Sequence, residues 1–211
     1  MSENLRVRVV SGIVIGAVTI AAGLLGGIWW GAFLLGLAIR ASDEMVALVI
    51  KSGFRPARLG ALAISAAAFL SVWLRLPLAV FGAGLSAVLL ITLGLQLRHR
   101  EGAPTANWAL TLVSGGYVGW CAGHLALLRD STNGLAWVVV AIGATWLADS
   151  AAYLVGSRFG RRKLAPAVSP KKTWEGYAGG VAAAVVGGAL FGLLIPAIGP
   201  LKGLVLALVA G

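Results

Sequence analysis

The stretch from residue 149 to residue 180 contains two groups of side chains with the chemistry to bind phosphate and metal. The first is built on Asp149, a carboxylate inside an apolar run that ends at Gly156, roughly 10 Å further along a helix. An acid at membrane depth is costly unless it has a function or a partner. Open to water, it can hold Mg²⁺ through oxygen ligands. Tyr153 follows by one turn on the same helix face. We therefore predict Asp149 as a metal ligand.

The second group is the run SPKKT with its flanking residues. Ser169 and Pro170 have the residue types of a helix N-cap and first helical position, so a helix is predicted to begin there. Free N–H groups at a helix start, with Lys171 and Lys172 beside them, form an anion site. A hydroxyl, a carboxylate and four further cations belong to the same stretch: Thr173, Glu175, Arg158, Arg161, Arg162 and Lys163. Phosphates of a nucleotide, of a lipid head group, or of both would fit.

Each feature alone has a simpler interpretation. A basic loop often only fixes membrane topology and contacts anionic lipid. Asp149 alone could be the ion or proton site of a transporter. The SPKK run is also typical of DNA binding or phosphorylation, but neither suits a loop between two spans, so no nucleic-acid partner is expected. His99 and His124 are isolated, and we assign neither a catalytic role.

The composition indicates the class of protein that must position these groups. Of 211 residues, 59% are hydrophobic and 11% are charged, against roughly 25% charged in soluble domains. This predicts an all-α polytopic membrane protein. The 30 glycines suit close packing of helices in lipid. Cys121 lies in an apolar run and is predicted to be a small buried side chain.

The apolar runs predict seven complete transmembrane helices and the start of an eighth, at 9–25, 28–50, 59–74, 78–97, 108–128, 135–156, 173–195 and 201–211. With the N-terminus in the cytoplasm, 13 Lys and Arg flank the spans on the cytosolic side and 3 on the other side, as the positive-inside rule requires. The basic loop 157–172 then faces the cytosol from the inner membrane. We expect residues 1–211 to form one transmembrane domain, C-terminally truncated because its last apolar run is short.

Three charged residues interrupt the second predicted span: Arg40, Asp43 and Glu44. Arg40 and Glu44 are four residues apart, so they share a helix face and are predicted to pair. This group forms either an intramembrane ion pair or part of a polar site.

Taken together, the stretch 146–180 resembles the bacterial phosphatidate cytidylyltransferases, or CDP-diacylglycerol synthases. Their pattern is W-x-x-D-x-x-A-Y-x-x-G-x-x-F-G, then K-L-x-P, then S-P-K-K-T-x-E-G-x-x-G-G. The chain matches it in order and spacing at Trp146, Asp149, Ala152, Tyr153, Gly156, Phe159, Gly160, Lys163, Leu164, Pro166, Ser169, Pro170, Lys171, Lys172, Thr173, Glu175, Gly176, Gly179 and Gly180. Further similarities extend the resemblance over most of the chain: Arg8, Ser11, Gly27, Trp29, Trp30, Glu44, Gly53, Phe54, Arg55 and Pro56.

The resemblance implies an enzyme of phospholipid synthesis that transfers CMP from CTP to phosphatidate, giving CDP-diacylglycerol and pyrophosphate, with Mg²⁺ as cofactor and a homodimeric assembly. It implies catalytic roles for Asp149, Lys171 and Lys172, and contacts to substrate from Ser169, Thr173, Glu175, Tyr153, Arg158, Arg162 and Lys163. The alternatives are an ion-coupled transporter that uses Asp149, or a related CTP-dependent enzyme that acts on another lipid.

One departure from the family pattern affects the site. The family has a later cytosolic segment with Gly-His-Gly-Gly and Asp-Arg-x-Asp, which supplies further carboxylates for metal. No such segment follows Gly180. The resemblance therefore implies that this chain carries about half of the active site.

Overall fold

The computed structural model describes the backbone of residues 3–98, 103–166 and 169–210, and the side chains of these residues except 3–9 and 210. The helices are α1 (Glu3–Leu25), α2 (Gly27–Lys51), α3 (Arg58–Trp73), α4 (Leu78–Leu97), α5 (Pro104–Arg129), α6 (Gly134–Phe159), α7 (Trp174–Leu194) and α8 (Pro200–Ala210). Two short strands, β1 (Lys163–Ala165) and β2 (Ser169–Thr173), form an antiparallel hairpin. The all-helical class is confirmed. Part of the predicted loop 157–172 is this hairpin instead. His99 and the side chain of Arg8 lie outside the described residues.

Three of the described helices are long and apolar enough to cross a membrane: α4, α6 and α7. Shorter apolar helices occupy Val10–Leu25, Arg58–Trp73 and Pro200–Val209. Large apolar side chains on these helices are widely exposed, including Leu78, Leu90 and Leu194 at 70% or more of their surface. Apolar surface on this scale needs a lipid environment. The chain is therefore an all-helical membrane protein, and the count of seven spans stays a prediction.

The chain divides into two compact units, Met1–Ser131 and Thr132–Gly211. In the first, α5 packs closely on α3 because glycines on α5 face the α3 backbone. A Cβ at Gly123 would lie 2.9 Å from the Val72 Cβ and 3.0 Å from the Phe69 carbonyl oxygen. Cys121 is two residues from Gly123, on the far side of the helix, and is exposed. The prediction that Cys121 is buried was therefore wrong, since the glycines take the packed face.

Charged side chains of α2 form a network with α3. The predicted pair is confirmed, with Arg40 Nη2 3.0 Å from Glu44 Oε1. Arg40 also approaches Asp43 at 3.5 Å. Asp43 accepts two hydrogen bonds from Arg58 of α3, at 2.6 Å from Nε and 2.9 Å from Nη2. This forked geometry fixes the start of α3 against α2.

Buried polar side chains hold the connection between α2 and α3. The Asn107 Oδ1 accepts a hydrogen bond from the backbone N–H of Arg55 at 2.8 Å. The Thr111 Oγ1 accepts one from the N–H of Ala57 at 2.8 Å, and the Gln96 Nε2 donates to the Arg55 carbonyl at 3.2 Å. The loop therefore satisfies its backbone groups through α4 and α5, as buried backbone requires.

The second unit consists of α6, the hairpin, α7 and α8. Its core is made of small side chains: Ala144, Ala148, Ala184 and Ala207. The buried face of α7 also consists of small residues: Gly176, Gly180, Ala184, Gly187, Gly188 and Gly192. Small residues at this spacing let helix backbones approach closely in lipid. This packing sets the position of the hairpin, which joins the end of α6 to the start of α7.

Candidate functional site

Asp149 lies on an exposed face of α6, ten residues before the helix ends at Phe159, a distance of about 15 Å. The neighbouring Ala148 is buried in the small-residue core, whereas Asp149 is exposed and Tyr153, one turn later, is 74% exposed. Within the described part of the chain, the Asp149 carboxylate has neither a hydrogen bond nor an ion pair. The carboxylate is therefore available to a ligand.

The start of α7 differs from the prediction. Residues Ser169–Thr173 form β2, and the helix begins at Trp174. Ser169 pairs with Ala165 of β1. The prediction that Ser169 and Pro170 open a helix was wrong, because the hairpin partner determines the backbone conformation of these residues. The helix N-cap that the residue types of Ser169 and Pro170 favour competes with strand pairing for the same backbone, and in this chain the strand pairing is formed.

Thr173 is the N-cap of α7. Its backbone is extended (φ −128°, ψ 153°), and its Oγ1 accepts a hydrogen bond from the N–H of Gly176 at 3.2 Å. The hydroxyl hydrogen can still be donated to a substrate oxygen. Thr173 is buried against the end of α6, where a Cβ at Gly156 would lie 3.1 Å, and one at Gly160 2.7 Å, from its Oγ1. Both glycines are therefore required by this close approach.

The two predicted catalytic lysines lie on a bulge of the hairpin. Lys163 pairs with Thr173 and Ala165 with Ser169. One residue separates the paired positions on β1, whereas Pro170, Lys171 and Lys172 separate them on β2. Proline cannot donate a ladder hydrogen bond and is tolerated at bulges. The extra residues expose Lys171 and Lys172 to solvent.

Glu175 binds the backbone of the connection between α6 and β1. Its Oε2 accepts hydrogen bonds from the N–H groups of Arg161 at 3.0 Å and Arg162 at 3.2 Å, and its Oε1 lies 3.3 Å from the latter nitrogen. The carbonyl of Arg162 in turn accepts from the N–H of Trp174 at 2.9 Å. A carboxylate in the first turn is also favourable to the helix dipole. Glu175 thus ties the basic connection to the start of α7.

The hairpin and its connections bring six exposed cations together: Arg158, Arg161, Arg162, Lys163, Lys171 and Lys172. None of them forms an ion pair with a described carboxylate. Unpaired cations with side chains in solvent attract phosphate oxygens, and the guanidinium groups can bind them with two parallel hydrogen bonds. Ser169, which is half-buried on β2, lies beside these lysines in the chain.

The described residues contain no group of three or more His, Cys, Asp or Glu that could hold a metal ion by itself. Mg²⁺ in phosphate-processing sites usually takes one or two carboxylates and completes its shell with water and substrate phosphates. One exposed carboxylate, Asp149, fits that mode of binding. His124 fits no such role, since its Nδ1 lies 2.9 Å from the carbonyl oxygen of Trp120 in its own helix.

The sequence predicts neither the bulge nor the binding of Glu175 to backbone amides. Glu175 contacts residues 13 and 14 positions away, and no helical or strand period links them. The cap at Thr173 had a local signal, because a threonine stands directly before the apolar run that becomes α7.

Comparison with known proteins gives a consistent result. The profile of the cytidylyltransferase family matches residues 6–211. The phosphatidate cytidylyltransferase of Brucella suis is 33% identical over 217 residues, which cover 99% of this chain and 76% of the relative. The phosphatidate cytidylyltransferase of Mycobacterium bovis is 29% identical over 229 residues, which cover 98% of this chain and 72% of that relative. The phosphatidate cytidylyltransferase of Bacillus subtilis is 40% identical over 79 residues, which cover 37% of this chain and 29% of that relative. These matches do not favour a transporter. The chain belongs to the cytidylyltransferase family.

Proposed function

We propose that this protein is a phosphatidate cytidylyltransferase, which transfers CMP from CTP to phosphatidate and releases pyrophosphate. The observation that carries the proposal is the family match over residues 6–211, supported by nearly full-length similarity to relatives with that name. The site agrees chemically, because it offers one available carboxylate and an unpaired group of cations. Two polyanionic substrates need this combination to approach each other.

In the reaction, a phosphate oxygen of phosphatidate attacks the α-phosphorus of CTP, and the bond from that phosphorus to the bridging oxygen of the β-phosphate breaks. The electron pair leaves with pyrophosphate. The charge of this leaving group must be neutralised by preorganised cations. Lys171 and Lys172, exposed on the bulge, would bind it, and Arg158, Arg162 and Lys163 would draw both substrates to the site.

Asp149 is the residue that would hold Mg²⁺, which when bound would neutralise charge on the transferred phosphoryl group. Tyr153, on the next turn, would donate its hydroxyl to a substrate oxygen. Ser169 and Thr173 would donate theirs to phosphates beside the lysines. Glu175 would act through the backbone amides that it binds and so fix the cations next to them.

The membrane arrangement is part of the proposal. The division of 13 flanking cations against 3 supports a cytoplasmic N-terminus with seven spans in the inner membrane. The site would then face the cytosol, where CTP is found. We further propose a homodimer.

The test is CMP transfer in vesicles that contain phosphatidate, by a full-length version of the protein, because the resemblance assigns further metal-binding carboxylates to a segment after Gly180. With labelled CTP and Mg²⁺, we expect labelled CDP-diacylglycerol from the full-length wild type and none from full-length Asp149→Asn. Ser150→Ala is the matched control, because Ser150 is the exposed neighbour on the same helix. Circular dichroism checks that both variants fold.

Two results would contradict the proposal at different points. Wild-type rates in folded Asp149→Asn would remove Asp149 from the site. A full-length wild type with neither CMP transfer nor Mg²⁺-dependent CTP binding would contradict the function itself.

A further inference from the structure

Trp174 places an exposed indole beside the cations of the candidate site. It is 53% exposed and directly follows the cap residue Thr173. Lys172 lies two residues before it, so their Cα atoms are at most about 7 Å apart. Across the hairpin, the Trp174 N–H donates to the Arg162 carbonyl at 2.9 Å, one step beyond the pair of Lys163 and Thr173. Residues opposite each other in an antiparallel pair have Cα atoms about 5 Å apart. An aromatic side chain and two cations therefore share this end of the hairpin.

The position of this indole is fixed by its surroundings. Besides the bond from its own N–H, the next residue, Glu175, accepts hydrogen bonds from the N–H groups of Arg161 at 3.0 Å and Arg162 at 3.2 Å. The ring is oriented as well, because Trp174 and Tyr177 meet edge to face, with centroids 6.0 Å apart and an interplanar angle of 88°. This is a favoured geometry of aromatic pairs. A ligand that binds the ring therefore loses little affinity to ordering it.

One face of the indole remains open. In an edge-to-face pair the contact covers one face of one ring and an edge of the other, so Tyr177 covers at most one face of Trp174. Tyr177 is itself 52% exposed. Among the described residues, the indole N–H has no hydrogen-bond acceptor. A flat aromatic surface next to cations is suited to a nucleotide, since the base stacks on the ring while the cations hold the phosphates.

Tryptophan and tyrosine are also common at membrane interfaces, where the ring lies at the level of the lipid head groups. That role requires only an apolar ring with a polar tip. It needs neither a ring held edge to face nor cations that are free of carboxylate partners. Both are found at Trp174, and this combination favours a nucleotide as the ligand.

We propose that the open face of Trp174 stacks on the cytosine base of CTP while Lys172 and Arg162 bind the phosphates. This inference rests on the proposed function and names the part of the same site that binds the nucleoside. Stacking accepts any base, because every base has a π-face. Trp174 therefore distinguishes a nucleotide from a polyphosphate without a base, and it does not select cytosine over uracil.

The test compares CTP with pyrophosphate, which has phosphates and no base. Binding of each to the full-length protein is measured by equilibrium dialysis with Mg²⁺. Trp174→Leu should raise the Kd of CTP roughly 5- to 140-fold, the range for loss of one stacked base, and leave the Kd of pyrophosphate unchanged. Trp174→Phe keeps an aromatic face and should stay close to the wild type. Trp29→Leu is the matched control, because it removes a similarly exposed indole from the first unit, and it should change neither Kd.

Three outcomes would overturn the inference. The first is an unchanged Kd of CTP in folded Trp174→Leu. The second is weakening of CTP and pyrophosphate by the same factor, which would mean that the ring only supports the cations. The third is weaker binding to phosphatidate vesicles with unchanged CTP binding, which would assign the indole to the membrane interface. All three are seen in the variant, whereas failure of the proposed function is seen in the wild type, as absence of Mg²⁺-dependent CTP binding.

A second measurement uses the wild-type protein and does not depend on the folding of a variant. CTP iodinated on its base couples to a neighbouring aromatic ring under near-ultraviolet light. Peptide mass spectrometry should locate the label on Trp174, and excess CTP should prevent the labelling. Label confined to other residues would place the base elsewhere and overturn the inference.

Discussion

Replacing Thr173 with valine is expected to destabilise the first turn of α7 without leaving a cavity where the side chain packs. Thr173 is 6% exposed, and its Oγ1 is the acceptor for the Gly176 N–H at 3.2 Å. Valine keeps the branched shape that packs against Gly156 and Gly160. It removes only the oxygen, so the Gly176 N–H loses its partner in a buried position. Thr173→Ser is the matched control, since it keeps the oxygen and loses the methyl group.

The magnitude follows from the cap. Loss of a side-chain N-cap costs about 0.5–2 kcal/mol, which corresponds to roughly a 2- to 30-fold increase in local opening at 25 °C. Valine causes no further loss of hydrophobic stabilisation, because it keeps the buried apolar volume of the side chain. Replacement by serine removes a buried methyl group, which costs at most about 0.8 kcal/mol of hydrophobic stabilisation. This cost weakens the packing between helices and leaves the hydrogen bond of the Gly176 N–H in place.

The assay is amide hydrogen exchange of the purified protein, read by fragmentation that resolves Gly176. We expect the Gly176 amide to exchange about 2- to 30-fold faster in Thr173→Val and close to the wild-type rate in Thr173→Ser. Unchanged exchange in the valine variant would refute the assignment of Thr173 as the cap. The same acceleration in both variants would show that the methyl contact, and not the hydrogen bond, stabilises the turn.

Three further predictions concern the supports of the two units. Glu175→Ala should speed hydrogen exchange at the two backbone amides that the carboxylate binds, with Glu175→Gln intermediate because it retains an accepting oxygen; identical exchange in the wild type and Glu175→Ala would exclude the proposed tie. Gly176→Leu should lower stability by about 1–3 kcal/mol or more, since its Cβ would lie 2.8 Å from a facing carbonyl oxygen of α6; denaturant titration should show little change for the exposed Ala178→Leu, and equal effects would contradict close packing. Asn107→Leu should cost about 1–3 kcal/mol by removing the acceptor of the 2.8 Å hydrogen bond from the Arg55 N–H, while Asn107→Asp keeps an accepting oxygen; titration curves of the leucine variant that match the wild type would disprove this.

Local sequence signals were enough to locate the helices. Apolar runs bounded by glycine, proline and charge predict α4 at 78–97, and the structure places it at Leu78–Leu97. The pair of Arg40 and Glu44 was also predictable, because helical periodicity alone brings residues four apart together. Both features depend on neighbours within one or two turns. The same reasoning was wrong at Ser169, where a capping signal was present but the backbone pairs with Ala165 across a hairpin.

The chemical class proposed for the candidate site comes from the sequence itself, since residue types and their spacing between Asp149 and Gly180 predict phosphate and metal chemistry. The tertiary structure decided how each residue is used. It assigned the Thr173 oxygen to a helix cap, the Glu175 carboxylate to two backbone amides, and Lys171 and Lys172 to a bulge. The physical reason is that a polar group binds whichever partner folding brings within about 3 Å. For Glu175 that partner lies 13 or 14 residues away, beyond any local periodicity.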